Sequence, residues 1–296
     1  MNSMMASQIA QVMGGSLSGE DILVTAAPSL KSSEVEQGGI FLAIQGEKVD
    51  GHDFVDDAFS HGAALAITTR PVAHRHILVT DVTAALTLLA RFARSELKDL
   101  TVIGITGSQG KTTTKDLLRH MLSQHGETIA PSGNYNNELG VPLTLLACSS
   151  TTKYAVIEMG ANKQGDIKEL VDIAQPTHGL ITNIGKAHLE GFGGIEGVRK
   201  GKGELFDFLQ ASKGVTFLPQ EPGPVQEIFR EKGMQNAIYS NTAMPTTLVE
   251  AKPMVRYSVE SGQVIDSHLP GIYNFENIQL AIAVGKFFAL SDDQCN

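Results

Sequence analysis

The chain has 296 residues, 42% of them apolar, which allows two domains with proper cores and excludes a disordered polymer. With 23 Lys and Arg against 32 Asp and Glu the net charge is −9 and no basic run occurs, so a general nucleic-acid surface is excluded and any anionic ligand must be met by a few local groups. No apolar run approaches membrane-spanning length, the first six residues carry no basic leader before an apolar core, and Cys148 and Cys295 lack metal-ligand spacing; the expectation is a cytoplasmic protein with reduced structural thiols.

In chain order, Met4 to Met13 is weakly helical and Gly39 to Ile44 reads as a strand, followed by a polar turn from Gln45 to His52. A helix is expected from Asp53 to His61, ending at Gly62, then short strands from Ala64 to Thr68 and His76 to Thr80, and an amphipathic helix from Val82 to Leu97. This is a small α/β unit without a nucleotide cradle. Asp50 and His52 in its polar turn admit two readings, a solvated turn or a ligand contact. Lys98-Asp99 marks the seam, so domains are expected at 1–97 and 98–296.

The second region opens on Val102-Ile103-Gly104-Ile105-Thr106-Gly107-Ser108-Gln109-Gly110-Lys111-Thr112-Thr113-Thr114-Lys115. A β-branched run leads into a glycine turn, and apolar residues at helical spacing follow (Leu117, Leu118, Met121, Leu122). A strand, a turn without Cβ atoms in the way and a helix N-terminus together present N–H donors to a polyphosphate. Lys111 is then placed for the β- and γ-phosphates and the Thr112 hydroxyl for a magnesium ion. The alternative is a glycine turn before an ordinary helix. The strict pattern G-x-x-x-x-G-K-[ST] is not met, because its first position falls on Ile105.

Beyond it, strands at Thr128 to Ala130, Tyr154 to Glu158, His178 to Asn183, Val215 to Leu218 and Ala237 to Tyr239 alternate with helices at Val141 to Ala147, Ile167 to Ala174, Ile195 to Leu209 and Pro224 to Lys232. Such alternation predicts a mostly parallel sheet flanked by helices, with ligands at the carboxyl ends of the strands. Glu158 ends one strand and suits a magnesium ligand beside the loop, or a cap of the loop that follows. His188 lies past the next strand end and reads as either a ligand or a structural histidine. Lys202, by spacing alone, is a solvated helix residue. Asn134, Asn136 and Asn137 suit amide recognition of a polar ligand or a plain Asx-turn with a helix cap.

The segments T-G-S-Q-G-K-T-T-T-K (106–115), G-N-Y-N-N-E-L-G-V-P (133–142), E-M-G-A (158–161), N-I-G-K-A-H-L-E-G-F-G (183–193) and K-G-E-L-F (202–206) together resemble the Mur ligases of peptidoglycan synthesis, in order from about Gly39 to Leu290. The resemblance implies a P-loop central domain after an N-terminal UDP-substrate-binding domain. It also implies an ATP- and Mg2+-dependent carboxylate-amine ligase, a monomer, whose substrates are a UDP-N-acetylmuramoyl-tripeptide and D-alanyl-D-alanine. Carried over by position, Gly107, Ser108, Gln109, Gly110, Lys111, Thr112 and Thr113 would hold ATP phosphates, and Asn274 and Asn277 the adenine. Thr112, Glu158, His188 and a carbamylated Lys202 would serve the metals, with Lys111, His188 and Lys202 catalytic. Ser32, Asp50, His52, Asn136 and Asn137 would contact the peptide substrate.

Three departures stand out. Lys31-Ser32-Ser33 occupies the place of an Asp-Ser-Arg motif, Tyr273 replaces a common histidine, and the family's carboxyl-terminal domain has no counterpart. The last implies a truncated chain that binds nucleotide weakly and turns over little, although Ser291-Asp292-Asp293-Gln294 reads as a capping box that should open a helix. A non-catalytic nucleotide-binding module and a sister amide ligase, such as a folate polyglutamylating enzyme, are the alternatives.

Overall fold

In a computed structural model, which describes residues 1–295, the chain divides into two compact units. The first comprises Met1–Asp99 with Glu138–Thr151, and the second Leu100–Asn137 with the residues from Thr152 onward. Among the described residues no helix is long and apolar enough to cross a membrane.

The first unit holds a five-stranded sheet in the order Ser16–Ser18, His76–Leu78, Leu65–Thr68, Ile40–Leu42 and Pro28–Ser29. The first pair is antiparallel and the others are parallel. Ile40–Leu42 and Leu65–Thr68 are buried at every position, as continuous apolar runs covered on both faces should be. Phe41, Ala43 and Ala66 pack there against Val55 and Ala58. Asp81 caps helix Val82–Glu96 by accepting from the N–H groups of Thr83 and Ala84, at 2.7 and 3.0 Å. That helix buries Ala85, Leu86, Leu89 and Ala90 and packs on helices Ala6–Met13 and Gly140–Ala147. The helix expected from Asp53 begins otherwise: a 3-10 turn over Gly51–Phe54 precedes helix Val55–Ser60. Asp50 starts that turn early by accepting from the His52 N–H at 3.0 Å.

The second unit is built on a six-stranded parallel sheet. Its order is Ala237–Tyr239, Val215–Leu218, His178–Ile181, Thr101–Thr106, Tyr154–Glu158 and Thr128–Ile129. Register pairs Glu158 with Ile105 and Ile181 with Thr106, so the three central strands end at one level. On one face, Leu118, Met121 and Leu122 of helix Lys111–Ser123 and Ile278 and Ile282 of helix Tyr273–Phe287 meet Ile103, Ile105, Val156 and Leu180. On the other lie helices Asp166–Ala174 and Ile195–Ser212. Gly104 and Gly179 are partners across adjacent strands, and a Cβ on either would come within 3.2 or 2.9 Å of Leu205 or Leu209. Two glycines thus let the long helix settle closely against the sheet centre.

Three features escaped the periodicity. A three-stranded antiparallel sheet joins Thr246–Glu250, Arg256–Val259 and Val264–Asp266. Helix Tyr273–Phe287 has every residue from Leu280 to Gly285 buried, so its apolar positions form no single stripe. Several strands of two or three residues are too short to alternate. The expected capping box does form: Gln294 N–H donates to Ser291 Oγ at 3.3 Å and Ser291 N–H to Gln294 Oε1 at 2.9 Å, opening helix Asp292–Cys295.

His178 begins one central strand among the rings of Phe217, Phe287 and Phe288, with centroids 6.3, 5.3 and 5.1 Å away. Burial pushes its pKa down from 6.5 to about 4. The unfolded chain therefore takes up this proton below pH 6.5, whereas the folded one resists until pH 4, so stability is lost as pH falls through that window. The loss should reach on the order of 2 kcal/mol, less than the full shift because the ring is partly exposed. Thermal denaturation between pH 7 and 4 should show this slope, and His178→Phe should flatten it.

Candidate active site

The site grows from the carboxyl ends of the three central strands. Strand Thr101–Thr106 runs into Gly107-Ser108-Gln109-Gly110 and then helix Lys111–Ser123. Gly107 has φ +149° and Gly110 φ +80°. A Cβ on Gly107 would collide with Thr182 Oγ1, and one on Gly110 would sit 2.5 Å from Asn277 Oδ1. Both glycines are therefore required by backbone conformation and by close approach.

The neighbouring strand end braces this loop. Asn183 accepts from the Ser108 N–H through its carbonyl and from the Gln109 N–H through Oδ1, both at 3.1 Å, and returns a bond from Nδ2 to Gln109 O at 3.0 Å. The Thr182 hydroxyl donates to Gln109 O at 2.5 Å, and Ser108 Oγ donates to Gly185 O at 3.1 Å. Thr182 and Asn183 are functional neighbours that no spacing rule singled out. Only their place at the end of a strand beside the glycine turn marks them.

Lys111 curls back over the loop, its Nζ donating to Gly107 O at 2.9 Å. Burial lowers its pKa, and the nearby Glu158 charge pulls the other way. Glu158, 1% exposed, accepts from the Thr112 hydroxyl at 3.1 Å through Oε2 and from Asn136 Nδ2 at 2.8 Å through Oε1. Among the described residues it makes no ion pair. A buried carboxylate hydrogen-bonded by two neutral donors, one of them a hydroxyl, is a hard oxygen donor set that suits a magnesium ion. No group of three or more His, Cys, Asp or Glu is placed to hold a metal ion among the described residues, so phosphate and water would have to supply the remaining ligands, as Mg2+ commonly allows.

The other sequence candidates fall out differently. Lys202 lies on helix Ile195–Ser212 and is 2% exposed, which overturns the solvated reading its spacing suggested. Its Nζ stands 5.6 Å from the centroid of Phe192, and burial, with the Lys111 charge second, pushes its pKa down to about 8. Lys111, Thr112, Glu158, Asn136 and Lys202 thus share one neighbourhood. His188 is exposed, adopts the left-handed conformation (φ +52°) before helix Leu189–Phe192, and has no hydrogen bond or ion pair to Glu158. Asn274 and Asn277 are buried: Asn277 Nδ2 donates to Asn274 Oδ1 at 2.9 Å, Asn274 Nδ2 donates to Pro270 O at 2.7 Å, and Asn277 abuts Gly110. They shape the floor of the loop. Thr113 is half-buried on the helix, and Asn137 is exposed.

In the first unit, His52 is buried with both ring nitrogens engaged. Nδ1 lies 2.7 Å from Asp50 Oδ1, and Nε2 accepts from the Thr69 N–H at 3.1 Å. The His52 N–H, then the His52 ring and Arg70, hold the Asp50 pKa down to about 2. The pair closes the turn on itself, so the open choice at His52 resolves toward structure. Ser32 instead lines a cavity of about 400 Å3 together with Lys31, Ser33, Phe41 and Val49.

Residues 105–285 match the family description "Mur ligase middle domain", and residues 28–94 match "Mur ligase family, catalytic domain". The chain is 40% identical over 211 residues to the UDP-N-acetylmuramoyl-tripeptide–D-alanyl-D-alanine ligase of Escherichia coli, covering 71% of this chain and 46% of that protein. Its fold is similar to MurF from Acinetobacter baumannii, with TM-score 0.81 and 32% identity over 99% of this chain and 67% of that one. It is also similar to MurF from Thermotoga maritima in complex with ADP, with TM-score 0.70 and 28% identity over 90% and 64%. The chain spans about half the length of the curated relatives it matches.

Proposed function

The chain belongs to the Mur ligase family, and from that premise we propose that it carries the nucleotide and UDP-peptide sites of a ligase joining D-alanyl-D-alanine to a UDP-N-acetylmuramoyl-tripeptide at the expense of ATP. The observation that carries this reading is the seating of Glu158 and Thr112 against each other beneath the glycine loop, with Lys111 above. A carboxylate is a poor acyl donor because its oxide is a poor leaving group. Transfer of the ATP γ-phosphoryl group to that oxygen, releasing ADP, makes phosphate the leaving group. The dipeptide amine then attacks the acyl carbon, loses a proton and expels phosphate.

The residues divide this work. Loop N–H groups and Lys111 bind and orient the phosphates, so that charge on the transferring group meets donors already in place. Thr112 and Glu158 would hold Mg2+, which neutralises phosphate charge when bound. Lys202 is the candidate for carbamylation. Its buried amine, with pKa near 8, is partly neutral at physiological pH, and only a neutral amine attacks carbon dioxide. His188, at the exposed rim, is assigned to a metal or to the substrate. The cavity at Ser32 in the first unit, walled by apolar Phe41 and Val49, suits the uridine end of the peptide substrate. Asn136, bonded to Glu158, positions the carboxylate, and Asn137 is left for the substrate side.

Calorimetric titration of this chain tests the reading. Saturable binding of Mg·ATP and of UDP-N-acetylmuramoyl-tripeptide is expected, with no binding of a folate. Binding of folate but not of the uridine peptide would favour the sister ligase and overturn it.

A further inference from the structure

We propose that Lys115 is a positioning residue for the Glu158 carboxylate, acting through the loop from Pro131 to Asn136; this rests on the reading of Glu158 as a magnesium ligand. Lys115 lies one turn after Thr112 on helix Lys111–Ser123, so the two share a side of the helix. It is 2% exposed. Its Nζ donates to Pro131 O at 3.1 Å and Gly133 O at 3.2 Å and forms an ion pair with Asp116 Oδ1, 3.2 Å away.

Burying an ammonium costs several kcal/mol even when it is paired, and a methionine would fill the same volume without that cost. Lys115 is buried on the same helix that gives Leu118 and Leu122 to the apolar core of the unit, so packing alone does not explain a charge there. What it holds does. Ser132, Gly133 and Asn134 are exposed, and a Cβ on Gly133 would meet nothing within 4 Å, so the loop has little packing of its own. Lys115 anchors its base.

At the far end of the loop, Asn136 Nδ2 reaches Glu158 Oε1 at 2.8 Å and its carbonyl accepts from the Gly160 N–H at 2.7 Å. Thr112 reaches the other carboxylate oxygen at 3.1 Å. The chain of contacts closes on itself, running from Lys115 through the loop to Asn136, to Glu158, to Thr112 and back along one helix. Each carboxylate oxygen is thereby held by one donor and keeps its remaining lone pair at a fixed angle for a cation. Lys115 Nζ reaches only Pro131, Gly133 and Asp116, so it would act on the metal through the loop and not by touching it.

The test is calorimetric binding of a non-hydrolysable ATP analogue by the whole chain across a magnesium series, with a thermal melt of each variant. Lys115→Met should raise the magnesium concentration for half-saturation about tenfold or more, the range seen when an outer partner of a metal ligand is lost, and leave magnesium-free affinity within about twofold. Asn136→Ala should do the same, and the double variant should be no worse than either single one, since both cut one path. Should Lys115→Met fail to fold, Lys115→Gln, which keeps one donor, should shift the half-saturation in the same direction by about threefold. A folded Lys115 variant with a lowered melting point and unchanged magnesium dependence makes the residue purely structural and overturns the proposal. Glu158→Gln separates the two levels. If it shifts the magnesium dependence while Lys115→Met does not, the positioning role alone falls; if neither shifts it, the metal reading falls as well.

Discussion

Lys111→Ala is expected to weaken binding of an ATP analogue to this chain by about ten- to a hundredfold, the usual cost of losing a charge-assisted hydrogen bond to a phosphate. The lysine has its Nζ on Gly107 O, 2.9 Å away, and its charge lies close enough to Glu158 to interact with it. Folding should be indifferent to its loss. Burial already lowers the Lys111 pKa, so the fold bears the charge at a cost and gains nothing when the group is protonated. Calorimetry and a thermal melt on the same sample separate the outcomes: affinity falls and the melting point stays within about 3 °C. An unchanged affinity would remove the loop from any phosphate role and leave the non-catalytic reading in its place.

The largest effect on stability is expected at Gly107. Gly107→Ala should cost about 3 kcal/mol or more, a fall of roughly 6–12 °C for a unit of this size, and should abolish nucleotide binding. The residue has φ +149°, and its added methyl group would run into the hydroxyl of Thr182. That hydroxyl cannot step aside cheaply, because it donates to Gln109 O at 2.5 Å on a buried residue. The collision therefore displaces the loop or breaks the brace between two strands. Gly185→Ala is the control: its Cβ would lie 3.5 Å from Ser108 Cβ, an ordinary contact, and should move the melting point by no more than about 2 °C. Equal melting points for the two variants would refute the account of the loop.

The sequence carried the sheet because its strands are short β-branched runs punctuated by glycine and followed by amphipathic helices. Val102, Ile103 and Ile105, then Gly107 and Gly110, then Lys111 and Thr112, are local signals of a phosphate loop and need no tertiary knowledge. What stayed hidden depends on burial. Lys202 looks like a solvated helix residue by spacing, yet it is 2% exposed, and Lys115, which no pattern singled out, is buried to the same degree. His52 could have met a ligand until the fold brought Thr69 to its second nitrogen, 17 residues away in sequence. Asn274 and Asn277 come by resemblance as adenine contacts; in the fold Asn277 Nδ2 donates to Asn274 Oδ1 and Asn274 Nδ2 to Pro270 O, a pairing no linear pattern encodes. Helix Tyr273–Phe287 was silent for the opposite reason: every residue from Leu280 to Gly285 is buried, and a run without a polar face has no period to detect.

The most direct measurement is the structure of this chain bound to magnesium and a non-hydrolysable ATP analogue. The account predicts a magnesium ion held by a Glu158 oxygen and Thr112 Oγ1, each either coordinated directly at about 2.0–2.1 Å or hydrogen-bonded to a water on the metal, and the terminal phosphates inside the loop from Gly107 to Gly110. A nucleotide bound elsewhere, or a metal with neither Glu158 nor Thr112 in its first or second hydration layer, would contradict it.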